Sequence, residues 1–147
     1  MIATTATRTL PSLSLKRCMS TLQRVQTAKA PAAIGPYAQA IKTNGFVYTS
    51  GQLPAVPETG EIVPGGAKEQ TQQVLTNLNS VLEASGSSLS KVIKTTVFLK
   101  DIKNDFVPMN EVYASFFKDH QPARSAVEVA RLPKDVQVEI ECVALAD

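Results

Sequence analysis

The stretch QPARSAVEVARLPKDVQVEIECVA, Gln121 to Ala144, decides how this chain folds. Two runs of alternating polarity, Ser125 to Ala130 and Val136 to Ala144, read as strands, with RLPKD as the turn between them. Period two places Val138, Ile140 and Cys142 on one face of the last strand, and Gln137, Glu139, Glu141 and Val143 on the other. The first face suits a covering of helices. The second is half apolar and carries two carboxylates of the same parity. Arg124 stands between Pro122-Ala123 and Ser125, at the mouth of the first of these strands.

Upstream, VIKTTVFL (92–99) is apolar or Thr at most positions and predicts another strand. Ile93, Thr95, Val97 and Leu99 would share one face, and Lys94, Thr96 and Phe98 the other. Between this strand and Arg124, Phe106, Met109, Val112, Tyr113, Phe116 and Phe117 form a helical stripe, with Asp105 suited to the N-cap. An earlier helix is predicted from Ala67 to Ser85, with Val74, Leu75, Leu78, Val81 and Leu82 inward, and Gly86 ends it. Ala40 to Thr43 and Phe46 to Ser50 flank Asn44-Gly45, a strong hairpin signal. Arg24 to Ala28 reads as a short first strand. The order β-β-β-α-β-α-β-β predicts one α+β domain, a six-stranded mixed sheet with both helices on one face. Two helices cover only one side of such a sheet. The other side carries Phe98 and either Phe46 and Tyr48 or Val47, which predicts burial against another copy of the chain.

The 147 residues suffice for one domain and an appendage, and no apolar run is long enough to span a bilayer. The net charge of +2 is unevenly distributed. Arg8, Lys16, Arg17, Arg24, Lys29 and Lys42 all precede the first acid, Glu58. The remaining nine Lys and Arg face all 13 Asp and Glu, so the body is acidic, near −4. Residues 1–19 are rich in Ser, Thr and basic side chains, lack acids and lack a continuous apolar core. That is the composition of a mitochondrial presequence rather than a secretory signal. The expected organisation is a presequence over 1–19 and the domain over 20–147, with a matrix location; Met19 offers a second start that would give a cytosolic form.

Two cysteines, Cys18 and Cys142, build neither a disulfide framework nor a zinc site, and one histidine, His120, builds no metal cluster. His120 is expected to cap a helix end or face solvent. GGAKEQ lacks P-loop spacing, so Gly65-Gly66 mark a turn before a helix. The acidic body, without an aromatic-basic stripe, argues against nucleic-acid binding.

Arg124 reads either as a surface or interface ion pair or as a fork for a substrate carboxylate. Glu139 and Glu141 share a face; if that face is buried, at least one must be paired or functional, for instance as a base holding water. Tyr37, in IGPY, reads most simply as a loop anchor. Ser50 and Gly51, in TSGQ, offer a hydroxyl, backbone N–H groups and room for close approach.

APAAIGPYAQAI, TSGQLP, VIKTTVFLKD and above all PARSAVEVARLPKDVQVEIE resemble the RidA (YjgF) family of reactive-intermediate deaminases, from about Leu22 to the C-terminus. The resemblance implies a chorismate-mutase-like fold assembled as a homotrimer with ligand sites between subunits. It also implies cofactor-independent hydrolysis of 2-imino acids, such as 2-iminobutanoate and 2-iminopropanoate, to 2-oxo acids and ammonia. Carried across by motif, the carboxylate-binding arginine falls on Arg124 and the water-orienting glutamate on Glu139 rather than Glu141. Tyr37, Ser50, Gly51, Asn110 and Ala126 fall in the substrate-binding positions. Many members have a cysteine where this chain has Ala126, so a thiolate at that position is excluded and its role would be a backbone one. Around KDIKNDFVPMN the spacing to Asn110 is a residue longer than in bacterial relatives. The competing readings are an RNA-directed ribonuclease or translation inhibitor, and a non-catalytic trimer that binds small carboxylates.

Overall fold

The structure is a computed structural model that describes residues 21–146. The presequence expected over 1–19 lies outside the described residues. The elements run β1 (Gln23–Val25), β2 (Ala40–Thr43), β3 (Phe46–Thr49), α1 (Ala67–Ala84), β4 (Val92–Leu99), α2 (Ile102–Phe116), β5 (Ala123–Glu128) and β6 (Val138–Leu145). They form one six-stranded sheet in the order β1-β2-β3-β6-β4-β5. β4 and β5 are parallel, joined by the α2 crossover, and every other pair is antiparallel. The expected mixed α+β sheet is the one observed.

Local chemistry fixes the ends. Asn44 and Gly45 take φ of 50° and 78°, the left-handed pair that a two-residue hairpin between β2 and β3 requires. α1 closes on Gly86, φ 77°, with Gly86 N–H donating to the Glu83 carbonyl and Ser87 N–H to that of Leu82, a Schellman ending. At its start the Glu69 carboxylate accepts from the Gly66 N–H at 2.9 Å.

Five expectations need correction. The cap of α2 is Asp101, one turn before Asp105; its carboxylate accepts from the N–H groups of Lys103 and Asn104. Asp105 lies inside the helix, where its Oδ2 is buried without a partner and burial raises its pKa. β1 stops at Val25 because the buried Gln39 side chain takes over the next backbone groups, binding Thr27 N–H and the carbonyls of Thr27, Ala30 and Pro31. β5 begins at Ala123 and ends at Glu128, since parallel pairing with β4 reaches back to Lys94↔Ala123; Arg124 is within the strand rather than ahead of it. In β4 an irregularity between Val92 and Lys94 buries Val92 and exposes Ile93, so Ile93 leaves the face of Thr95, Val97 and Leu99. Finally, His120 is half-buried, and its ring nitrogen hydrogen-bonds the Val92 carbonyl at the start of β4 rather than an end of α2.

The core lies between the helices and one sheet face. Val74, Leu75, Leu78, Val81 and Leu82 of α1 and Met109, Val112 and Tyr113 of α2 pack on Val47, Val97, Leu99, Val138, Ile140 and Cys142. Because Val47 is buried, the β3 side chains that face away from the helices are Phe46 and Tyr48. With Phe98, Val127, Val143 and Leu145 they leave the opposite face substantially apolar and partly open.

Candidate functional site

The candidate residues fall into two groups on opposite faces of the sheet. Register decides this, because directly paired residues share a face. Arg124 pairs with Thr95 and Ala126 with Val97, and both β4 residues are fully buried beneath the helices. Glu139 pairs with Phe98, and Glu141 with Thr96, on the face that the helices leave uncovered. Within one chain, Arg124 and Glu139 are therefore not brought together.

The Arg124 group is built by β5 and α2. Pro122 leads rigidly into the strand, which projects the half-buried Arg124 toward α2. Phe106, Asn110 and Tyr113, spaced i, i+4 and i+7, present one stripe to it. Arg124 Nη1 donates to Asn110 Oδ1 at 2.8 Å. Its Cζ stands 4.6 Å from the Tyr113 ring centroid and 5.7 Å from that of Phe106. The cation thus lies over both rings, and one of its five N–H donors is spent on Asn110. No carboxylate among the described residues forms an ion pair with it. The surrounding concavity is lined by Asn110, Tyr113, Phe117, Gln121, Pro122 and Arg124. Phe106 and Tyr113 read from sequence only as core stripe; their spacing to Asn110 was the available signal. Ala126 lies two residues beyond Arg124 on the same face, half-buried against the core.

The Glu139 group is built by the chain leaving β3. Gln52 and Ile140 form a two-way backbone bridge, Gln52 N–H to Ile140 O at 2.9 Å and Ile140 N–H to Gln52 O at 3.3 Å. This draws Gly51 onto β6 beside Glu139. A β-carbon at position 51 would lie 1.8 Å from Glu139 Oε1, so glycine is what lets this carboxylate lie where it does. Ser50 fastens the neighbouring loop: its hydroxyl donates to the Ala38 carbonyl at 2.6 Å and its N–H to the Gln39 carbonyl at 3.0 Å. Tyr37, with an exposed ring, lines a cleft with Ile34, Gly51, Gln52, Leu53 and Lys134. Burial, and secondarily the Glu141 charge two residues along, raise the pKa of Glu139. Ionised, such a carboxylate is a stronger base than an ordinary glutamate.

Cys142, the described thiol, is buried against Thr49, and burial pushes its pKa up to about 12. It is not a nucleophile at neutral pH. Among the described residues no group of three or more His, Cys, Asp and Glu is placed to hold a metal, and no helix is long and apolar enough to cross a membrane.

The sequence model of the family described as Endoribonuclease L-PSP matches residues 27–146. A 2-iminobutanoate/2-iminopropanoate deaminase of Bos taurus is 50% identical over 129 residues, 86% of this chain and 93% of the bovine protein. A protein of Arabidopsis thaliana described as Reactive Intermediate Deaminase A, chloroplastic, is 47% identical over 141 residues, 95% of this chain and 75% of the plant protein. The crystal structure of E. coli TdcF with bound serine matches with a TM-score of 0.80 and 46% identity, covering 85% of this chain and 99% of TdcF. Fold, motifs and these matches agree: the chain belongs to the Endoribonuclease L-PSP family, the RidA (YjgF) family that its motifs resemble.

Proposed function

We propose that this chain is a cofactor-independent deaminase that hydrolyses small 2-imino acids, the imine and enamine products of threonine and serine dehydratases, to 2-oxo acids and ammonia. The observation that carries this reading is Arg124: a half-buried guanidinium held by two rings and one amide oxygen, with its remaining donors uncommitted. Such a planar fork matches a carboxylate with two parallel charge-assisted hydrogen bonds. The bovine relative's name and the serine bound to TdcF, itself a small α-amino carboxylate, support the same ligand class.

A protonated imine is already electrophilic, so water suffices as nucleophile. Arg124 fixes the carboxylate and thereby the orientation of the C=N carbon. Glu139 holds a water and takes its proton as oxygen bonds to that carbon. Glu139 returns that proton to the nitrogen of the resulting tetrahedral carbinolamine, which collapses: the C–N electron pair leaves on ammonia, C=O forms, and the hydroxyl proton departs with the ammonia as ammonium, leaving Glu139 ionised. No thiolate step is invoked, in keeping with Ala126 and the unreactive Cys142. Tyr37, Ser50, Gly51 and Asn110 shape the pocket, Asn110 by orienting Arg124.

The two groups of residues support a homotrimer. In a closed three-fold ring, the Arg124 face of one copy meets the Glu139 face of the next, giving three equivalent sites and covering the apolar sheet face. We place the protein in the mitochondrial matrix, with residues 1–19 as presequence, on the composition of that segment; the chloroplastic name of the plant relative is consistent with organelle-targeted forms in the family.

A threonine dehydratase coupled to this protein tests the activity. Wild type should accelerate 2-oxobutanoate release, and Arg124→Ala should lose the acceleration while remaining assembled. Undiminished acceleration by Arg124→Ala sinks the assignment. RNA cleavage that survives the same substitution would favour the reading that the family's description carries.

A further inference from the structure

We infer that Thr95 and Tyr113 form a positioning device for Arg124: their buried hydroxyl pair pins the far end of the Tyr113 ring, and that ring seats the guanidinium. The inference rests on the proposed carboxylate-binding role of Arg124.

Thr95 is fully buried at the centre of β4, and it is the residue directly opposite Arg124 in the parallel ladder. A polar side chain there, among Val92, Val97 and Leu99, needs a partner. Its hydroxyl meets the Tyr113 hydroxyl at 2.7 Å, and Tyr113 is itself only 7% exposed. One bond thus satisfies both groups and ties α2 to β4 beneath Arg124. The Tyr113 ring is held on another side by Phe117, with centroids 4.5 Å apart. The hydroxyl bond keeps the ring from sliding along α2, and the Phe117 contact opposes its turning about its own axis.

Arg124 rests 4.6 Å above that ring, while Asn110 Oδ1 engages Nη1 from one edge. The ring beneath Cζ and the hydrogen bond at Nη1 are two separate restraints on the guanidinium, which lines the concavity with Asn110 and Tyr113. Thr95 touches no ligand in this arrangement. It acts two contacts away, through Tyr113.

Tyr113→Phe keeps the ring and its packing but removes the bond that holds it and leaves Thr95 unpaired. Thr95→Val removes the partner from the other side at similar size. Both assays use the full-length protein, with binding of 2-oxobutanoate as probe and thermal unfolding as the measure of folding. Each variant should bind 2-oxobutanoate about 5- to 10-fold more weakly, equivalent to about 1 to 1.4 kcal/mol. The double variant should bind no more weakly than either single one, because both remove the same bond. Thr95→Ser, which restores a hydroxyl, should recover affinity. A purely structural pair would lower the unfolding temperature of both variants and leave affinity of the folded protein unchanged, which would overturn the inference. If wild type itself binds no 2-oxobutanoate, the carboxylate-clamp reading fails instead.

Discussion

Gly51→Ala is the sharpest local perturbation available at the Glu139 group. The added β-carbon would lie 1.8 Å from Glu139 Oε1, whereas ordinary contact begins near 3.4 Å, so the carboxylate must move by about 1.6 Å. The backbone at position 51 cannot yield easily, because Gln52 is clamped to Ile140 by two hydrogen bonds and Ser50 to Ala38 and Gln39 by two more. Glu139 is the freer partner, so the side chain is expected to swing away while the fold persists. Misplacing a catalytic group by about 1 Å costs on the order of 10²-fold in rate. That loss corresponds to about 2.7 kcal/mol of transition-state stabilisation. In the dehydratase-coupled assay, kcat should therefore fall by about 10²-fold or more. Affinity for 2-oxobutanoate, attributed to Arg124, should change by less than about threefold, and circular dichroism should match wild type. A correctly folded Gly51→Ala protein with wild-type kcat would refute the role given to Glu139.

The pKa of Glu139 is raised by burial first and by Glu141 second, and the base role proposed for it requires the ionised form. Activity should consequently be lost, as pH falls, above the range of an ordinary glutamate. Glu141→Gln removes only the charge contribution, so the acid limb of kcat/KM should move to lower pH without reaching the ordinary value; a limb that stays put, or moves up, contradicts the arrangement. The same shift sets a stability sign: ionised Glu139 costs stability at neutral pH, and that cost disappears as pH falls through the raised pKa. Asn77, fully buried on α1, donates to the carbonyls of Leu53 at 3.0 Å and Ala55 at 2.9 Å. Asn77→Ala should leave both unsatisfied and cost about 2–4 kcal/mol in urea denaturation at fixed protein concentration. A loss under about 0.5 kcal/mol, the range of ordinary surface substitutions, would mean that the 53–55 segment is held by other contacts.

Local signals gave the elements, while tertiary partners set several of their limits. Asn44-Gly45 and Gly86 were legible because left-handed backbone demands such residues. The cap of α2 was not: KDIKND contains two aspartates one turn apart, and only the hydrogen bonds of Asp101 distinguish them. The end of β1 depends on Gln39, more than ten residues away, whose side chain replaces sheet pairing for Thr27. The exposure of Ile93 follows from a ladder irregularity that alternation cannot encode. At the candidate site, Arg124 and Glu139 were conspicuous as residue types, yet their placement on opposite faces required two registers, β4 with β5 and β4 with β6. Tyr113 was hidden by its triple use: its ring serves the core, its hydroxyl serves Thr95, and its face serves Arg124.

In the proposed assembly a complete site takes Arg124 from one copy and Glu139 from the next. Arg124→Ala and Glu139→Gln proteins, each inactive alone, can be unfolded together in equal amounts and refolded. In randomly assembled trimers about a quarter of the interfaces would join an intact Arg124 to an intact Glu139. Deaminase activity should accordingly return to about a quarter of the wild-type level. A mixture that assembles into mixed trimers and stays as inactive as its parents would contradict the shared site.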